Sequence, residues 1–301
     1  MEANPVVRSL GSALGVDAAG LLHERRVVTG GRPTSTRFVR ASDGWVAVSL
    51  ARPDDVELVP AWVGGPSLAE GLATMTAAHA LARGRLLGLA VATPGERAPG
   101  ELSRCVPLGA APPLGRAPVV VDLSSLWAGP LCTRILRQRG ATVVKVESST
   151  RPDGARSGSA EFFDLLNAGK ESVQVDFTRA ELLPLLMQAD VVVEGSRPRA
   201  LEQLGIDAAA VVRDGPRVWL SITGHGRTSP QRDWVAFGDD AAVAGGLVGW
   251  RSGVPHLLGD ALADPLTGMA GAAAVLELLD RGGRWMVDCS LAGVAAHVAA
   301  A

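Results

Sequence analysis

The sequence predicts an α/β fold, a doubly wound, Rossmann-like parallel sheet with a smaller α+β domain ahead of it. Residues 119–123 and 142–147 are apolar runs of strand length, the fully buried kind that parallel sheets use. Between them Pro130 suits the first turn of a helix and Gly140 its end, so this stretch reads strand, helix, strand. The alternation then repeats, with strands near 172–177, 190–195, 217–223 and 284–289. Such crossovers are right-handed, and ligands bind in the crevice above the carboxyl ends of the strands. Glu147 ends the second strand as a ribose-binding acid would. The loop Ser124-Ser125-Leu126-Trp127-Ala128-Gly129-Pro130 argues against a dinucleotide, because it has one glycine where the diphosphate fingerprint needs three and Trp127 blocks close approach.

Earlier elements are less regular. Residues 5–27 read as one or two short helices, with Leu10, Leu14, Leu21 and Leu22 on one buried side. A hairpin follows, 37–40 and 45–50 around the Ser-Asp-Gly turn at 42–44. Asp54 or Asp55 caps the next helix, and a long one spans roughly 67–87. Residues 93–118, rich in proline and glycine, read as a linker. The expected domains are therefore 1–92, a small α+β unit, and 119–301, the sheet unit, joined by 93–118.

Composition bounds the function. With 301 residues there is room for one large or two ordinary domains, and 47% hydrophobic with 20% charged residues is the balance of a soluble globular chain. A formal net charge of −2 gives no footprint for nucleic acid or an anionic membrane, and no apolar run reaches spanning length, so neither partner is expected. Cys105, Cys132 and Cys289 have no metal-ligand spacing, so no metal is expected. An odd cysteine count without a signal peptide predicts a reducing, cytoplasmic setting.

An ordered series of motifs then carries a resemblance. VDLSSLWAGP with CTRILRQRGATVVKVE, LLNAGKESVQVDF (165–177), ADVVVEGSRPRALEQLGID (189–207), RVWLSITGHGRTSP (217–230), FGDD (237–240) and ADPLTGMAGAAAVLEL (263–278) together resemble the family III CoA-transferases. That group includes formyl-CoA and carnitine CoA-transferases and the α-methylacyl-CoA racemases. In similar proteins the small domain comes after the sheet and the chain is longer, so this one looks permuted or trimmed. The resemblance implies no tightly bound cofactor, coenzyme A or acyl-CoA and a carboxylic acid as substrates, and a homodimer.

It also implies site residues. Asp264 matches the nucleophilic aspartate, four residues before Gly268; read from the residues alone, it is the N-cap of a helix. As a nucleophile it forms a mixed anhydride with the acyl group and then an aspartyl-CoA thioester. Asp260, in Leu258-Gly259-Asp260, is the rival, because some relatives read Gly-Asp there. Asp239 stands where the racemases carry a histidine base; Asp239 and Asp240 read otherwise as a capped helix start. For CoA, Ser125, Leu126 and Ala128 match the loop lining adenine and pantetheine, Arg197 the phosphate-binding arginine, and Asn167 and Lys170 an Asn-x-x-Lys motif. Arg151 stands in for the arginine that relatives carry after Glu147. Gly30 and Gly31 match a glycine-rich loop that closes over the site, or form an ordinary loop. His225 replaces an aromatic residue and reads as a turn position. Beside CoA transfer stand two alternatives: a racemase or isomerase of the same fold, and a non-catalytic CoA-binding subunit.

Overall fold

A computed structural model describes residues 4–29 and 35–301. Twelve strands are described: β1 (Thr36–Arg40), β2 (Trp45–Ser49), β3 (Ala90–Ala92), β4 (Arg104–Gly109), β5 (Val119–Leu123), β6 (Thr142–Ser148), β7 (Glu171–Val175), β8 (Val191–Glu194), β9 (Val218–Thr223), β10 (Val248–Arg251), β11 (Val254–Leu257) and β12 (Arg284–Ser290). A seven-stranded sheet runs in the order β4-β12-β9-β8-β5-β6-β7, parallel throughout except for β4. The six parallel strands are those the sequence predicts. The helix Ala128–Gln138 crosses from β5 to β6 and ends before Gly140, whose φ of 98° is open to glycine but strained for other residues.

The small unit is the antiparallel sheet β1-β2-β3 with four short helices. Trp62, fully buried, anchors its core and donates its ring N–H to the Ala80 carbonyl at 2.8 Å. The single helix expected over 67–87 is two, Leu68–Ala73 and Ala77–Leu86. Ser42 N–H takes the Met75 carbonyl at 2.9 Å, and the Thr76 hydroxyl caps the second helix, so the backbone is diverted between them. Asp55 serves at the third helical position of Pro53–Glu57, accepting the Arg52 N–H at 2.9 Å, rather than as the cap.

The structure also redraws the expected boundaries. Val7, Leu10, Leu14, Leu21 and Leu22 share a core with Leu131 and Ile135 of the sheet unit, and Asn4 donates to the Val298 carbonyl at 2.8 Å. The N-terminal helices thus belong to the large layer rather than to the small unit. The segment read as a linker is docked throughout much of its length. Gly95 and Arg97 donate to the Val243 and Ala244 carbonyls at 3.0 and 2.9 Å, and 104–109 forms the antiparallel edge strand β4. Among the described residues no helix is long and apolar enough to cross a membrane.

Candidate active site

From β5 the chain moves to β6 and β7 on one side, then returns to β8, β9 and β12 on the other. The direction reverses between β5 and β8, and the crevice outside their carboxyl ends is where such sheets bind ligands. Ser125, Leu126 and Ala128 follow β5, Arg151 follows β6 and Arg197 follows β8, so the structure gathers these candidates along one edge. The two central loops meet: a Cβ on Gly195 would lie 3.7 Å from Ser124 Cβ. Within the loop, Ser125 and Leu126 are exposed while the Ala128 side chain is buried. Ala128, only 4% exposed, packs into the hydrophobic core and presents almost no surface to the crevice.

The loop is held from beneath. Leu126 adopts φ 69°, a left-handed conformation that costs a side-chain-bearing residue on the order of 1 kcal/mol or more. Its N–H bonds Asp153 Oδ1 at 2.9 Å, and Asp153 pairs with the buried Lys145 at 2.9 Å. On the other side Asp122, fully buried in β5, accepts the Ser124 N–H at 3.0 Å, the Thr133 hydroxyl at 2.6 Å and Lys170 Nζ at 3.1 Å. Burial alone would raise the Asp122 pKa, but Lys170 and Lys145, with the Ser124 and Thr133 hydroxyls, outweigh it and hold the carboxyl at about 2. Lys170 further donates to the Pro130 carbonyl at 3.0 Å and to Asn167 Oδ1 at 2.8 Å, and only 1% of its side chain is accessible. The resemblance sets Asn167 and Lys170 among the CoA-binding candidates; in the structure both side chains are buried, Asn167 donating to the Phe163 carbonyl at 3.0 Å and Lys170 turned inward onto Asp122, so they position the loop from within.

The candidate carboxylates converge at the starts of two helices, Gly238–Ala244 and Ala263–Arg281. Asp264 is not the cap expected from sequence. Leu262 holds that place, and Asp264 lies in the first turn with its N–H on the Ala261 carbonyl at 2.9 Å. Its side chain is half-buried against Gly238, where any Cβ would collide with Asp264 Oδ2. Asp239, buried, accepts the Ala261 N–H at 2.6 Å, and Ala261 itself is held at φ 47°. Asp239 thereby fixes the loop that carries Asp260 and leads into the helix of Asp264. Farther along, a Cβ on Gly268 would lie 2.7 Å from the Ala128 carbonyl. The Asp264 helix is therefore pressed directly onto the CoA-loop candidate about one turn beyond the carboxylate.

The remaining candidates are less central. Arg197 is exposed and its side chain makes no hydrogen bond or ion pair among the described residues; partial burial, with Arg199, Arg52 and Arg151 nearby, lowers its pKa. Arg151, also exposed, is anchored through its backbone N–H to the Ser148 hydroxyl at 3.2 Å. His225 is buried edge-to-face against Trp234, and burial, with Arg85 and Arg97 adding to it, pushes its pKa down to about 3. It is held neutral. Gly30 and Gly31 lie outside the described residues. Sequence reasoning missed Gly238, whose role depends on a tertiary approach that no local pattern announces. It also missed Asp122 and Lys145, although an acid and a lysine inside apolar strands were a readable signal for a buried polar network.

Asp240 is the one acid of this region with a resolved upward shift. It completes a capping box by accepting the Phe237 N–H at 2.9 Å, and it accepts the Ser49 hydroxyl of the small unit at 3.0 Å. Its Oδ2 is buried without a hydrogen-bond partner among the described residues, and burial raises the pKa from 3.8 to about 7. The folded state thus holds a proton that the unfolded chain releases near pH 4. The contribution of Asp240 to stability should be fully present below that pH, fall as pH rises through the window up to about 7, and be lost above it, a change of up to roughly 4 kcal/mol. Urea midpoints measured from pH 4 to 8 should show this slope in the wild type, and Asp240→Asn should flatten it.

Residues 118–301 match CoA-transferase family III. A Fusarium pseudograminearum protein named acyl-CoA transferase is 34% identical over 183 residues, 53% of this chain and 40% of its own length. Acetyl-CoA:oxalate CoA-transferase of Acetobacter aceti is 28% identical over 184 residues, 55% of this chain and 47% of its own. The crystal structure of a CAIB/BAIF family protein from Brucella suis superposes with TM-score 0.55 at 29% identity, covering 62% of this chain and 55% of that one. The chain spans less than half the length of the two curated relatives it matches here.

Proposed function

The chain belongs to CoA-transferase family III, and from that premise we propose that it moves CoA from an acyl-CoA donor to a carboxylic acid through covalent intermediates on Asp264. The observation that carries this reading is the seating of Asp264 against Gly238 in the first turn of the Ala263–Arg281 helix, with Asp239 fixing the loop before it. A carboxylate there gains from the positive end of a long helix and remains half-exposed to a substrate. It attacks the thioester carbonyl; the C–S bond breaks, leaving a mixed anhydride and CoA thiolate. The thiolate attacks the aspartyl carbonyl, releasing the donor acid and forming the aspartyl-CoA thioester. The acceptor carboxylate then repeats the sequence in reverse, and Asp264 returns to its starting state with no net proton change.

At the switch-point crevice, Leu126 presents an exposed apolar surface, and Arg197, whose side chain has no partner among the described residues, supplies a cation for CoA phosphate. Proton exchange, as in a racemase, is less well supported because His225 is buried and neutral and Asp239 is engaged by Ala261. The direct test is mass spectrometry of the protein incubated with assorted acyl-CoAs, which should reveal an adduct of CoA less water on the peptide carrying Asp264. Arg197→Ala should weaken CoA binding by about 1.5–3 kcal/mol and leave the melting temperature unchanged. An unaltered dissociation constant would return Arg197 to the solvated surface.

A further inference from the structure

Between the small unit and the sheet unit lies an open cleft of about 1440 Å³, larger than the usual pocket for a small ligand and roomy enough for a nucleotide. Arg52, just after β2, and Arg197 and Arg199, just after β8, all line it. Three guanidinium groups on one cleft repel each other unless an anion joins them. Among the described residues Arg199 has only an exposed contact with Asp233 at 3.9 Å, an arrangement worth little in water. Arg52 is oriented by Asp55 and by the Gly88 carbonyl at 2.9 Å through Nε and Nη2, and among the described residues nothing takes its Nη1. A fourth lining arginine, Arg85, is not available: it pairs with Glu96 at 2.5 Å and stacks on Trp234 at 3.9 Å.

The acids of the cleft do not cancel this site. Asp43 caps the Ala77 N–H at 2.7 Å, Asp55 and Glu96 are taken by Arg52 and Arg85, and Asp54 sits in the first turn of its own helix. Beside the arginines stands Trp250, 55% exposed, an aromatic face open to the cleft. The arrangement suits a ligand with more than one phosphate group and an aromatic base. Resting on the reading of CoA as substrate, we infer that Arg52 and Arg199 form with Arg197 a second phosphate site that takes the 3′-phosphomonoester of CoA. Arg52 comes from the small unit and Arg197 and Arg199 from the sheet unit, so the bound phosphate ties the two together.

Calorimetric titration of the whole protein with CoA and with dephospho-CoA tests this. The wild type should bind CoA roughly tenfold to a hundredfold more tightly. Arg52→Gln and Arg199→Gln should each lower CoA affinity toward that of dephospho-CoA while dephospho-CoA binding holds; the melting temperature should hold in Arg199→Gln and fall in Arg52→Gln, which also gives up the pair with the buried Asp55. Equal binding of the two ligands by the wild type overturns the inference but leaves the CoA reading standing. So does an equal loss for both ligands in both variants. If neither ligand binds, the CoA reading falls, and this site with it.

Discussion

Asp264→Asn should lose CoA transfer by at least about three orders of magnitude and form no CoA adduct, while folding as the wild type does. An amide neither attacks a thioester nor forms an anhydride, so the chemistry is lost outright. The structural cost is small for reasons particular to this site. Asp264 is not the helix cap, and its own N–H is tied to the Ala261 carbonyl whatever the side chain carries. Asparagine has nearly the same volume and can lie in the space that Gly238 leaves open. The negative charge lost from the first turn is worth about 0.3–1 kcal/mol, or a few degrees of melting temperature. Asp260→Asn is the control. It should retain the adduct, and an enzyme that survives Asp264→Asn but not Asp260→Asn would move the nucleophile to the preceding loop. Activity in both variants would leave the fold without the proposed chemistry.

The parallel sheet was legible because its strands are buried on both faces and so are written as apolar runs. β4 was not. It lies at an edge, is exposed along most of its length and contains Pro107, so it carries neither periodicity nor an unbroken apolar run. The ribbon of β10 and β11 had a signal in Ser252-Gly253, with φ values of 49° and 76° at its turn, but its strands alternate too weakly to declare themselves. In the candidate site, residue identity and the order of the motifs led to Asp264 and Arg197. They could not reveal which polar residues point inward. Asp122 and Lys145 stand opposite each other in the register of β5 and β6, and two opposite charges inside central strands already required buried partners. The third member, Lys170, enters from the turn before β7, and only the tertiary fold shows that it faces Asp122 rather than solvent.

Lys170→Met should destabilise the protein by about 3–5 kcal/mol, because it removes the direct ammonium partner of a fully buried carboxylate. A lysine that bound CoA phosphate at the surface would behave in the opposite way, with stability nearly unchanged and CoA affinity reduced. The two roles are therefore separated by one urea titration and one binding measurement. Acid dependence adds a second readout. Asp122 is held at about 2, below its ordinary 3.8, so its contribution is present above pH 4 and is lost as pH falls toward 2. Lys170→Met should raise that pKa and shift the loss to higher pH. Pairing the change with Asp122→Leu should recover much of the stability, since a buried ion pair replaced by apolar groups is often neutral or better. The double variant would still lack the carboxylate that receives Ser124 and Thr133, so the Ser124–Ala128 loop should stay loose and CoA binding weak even where folding returns. Full CoA affinity in that double variant would show that the loop does not depend on the buried network beneath it.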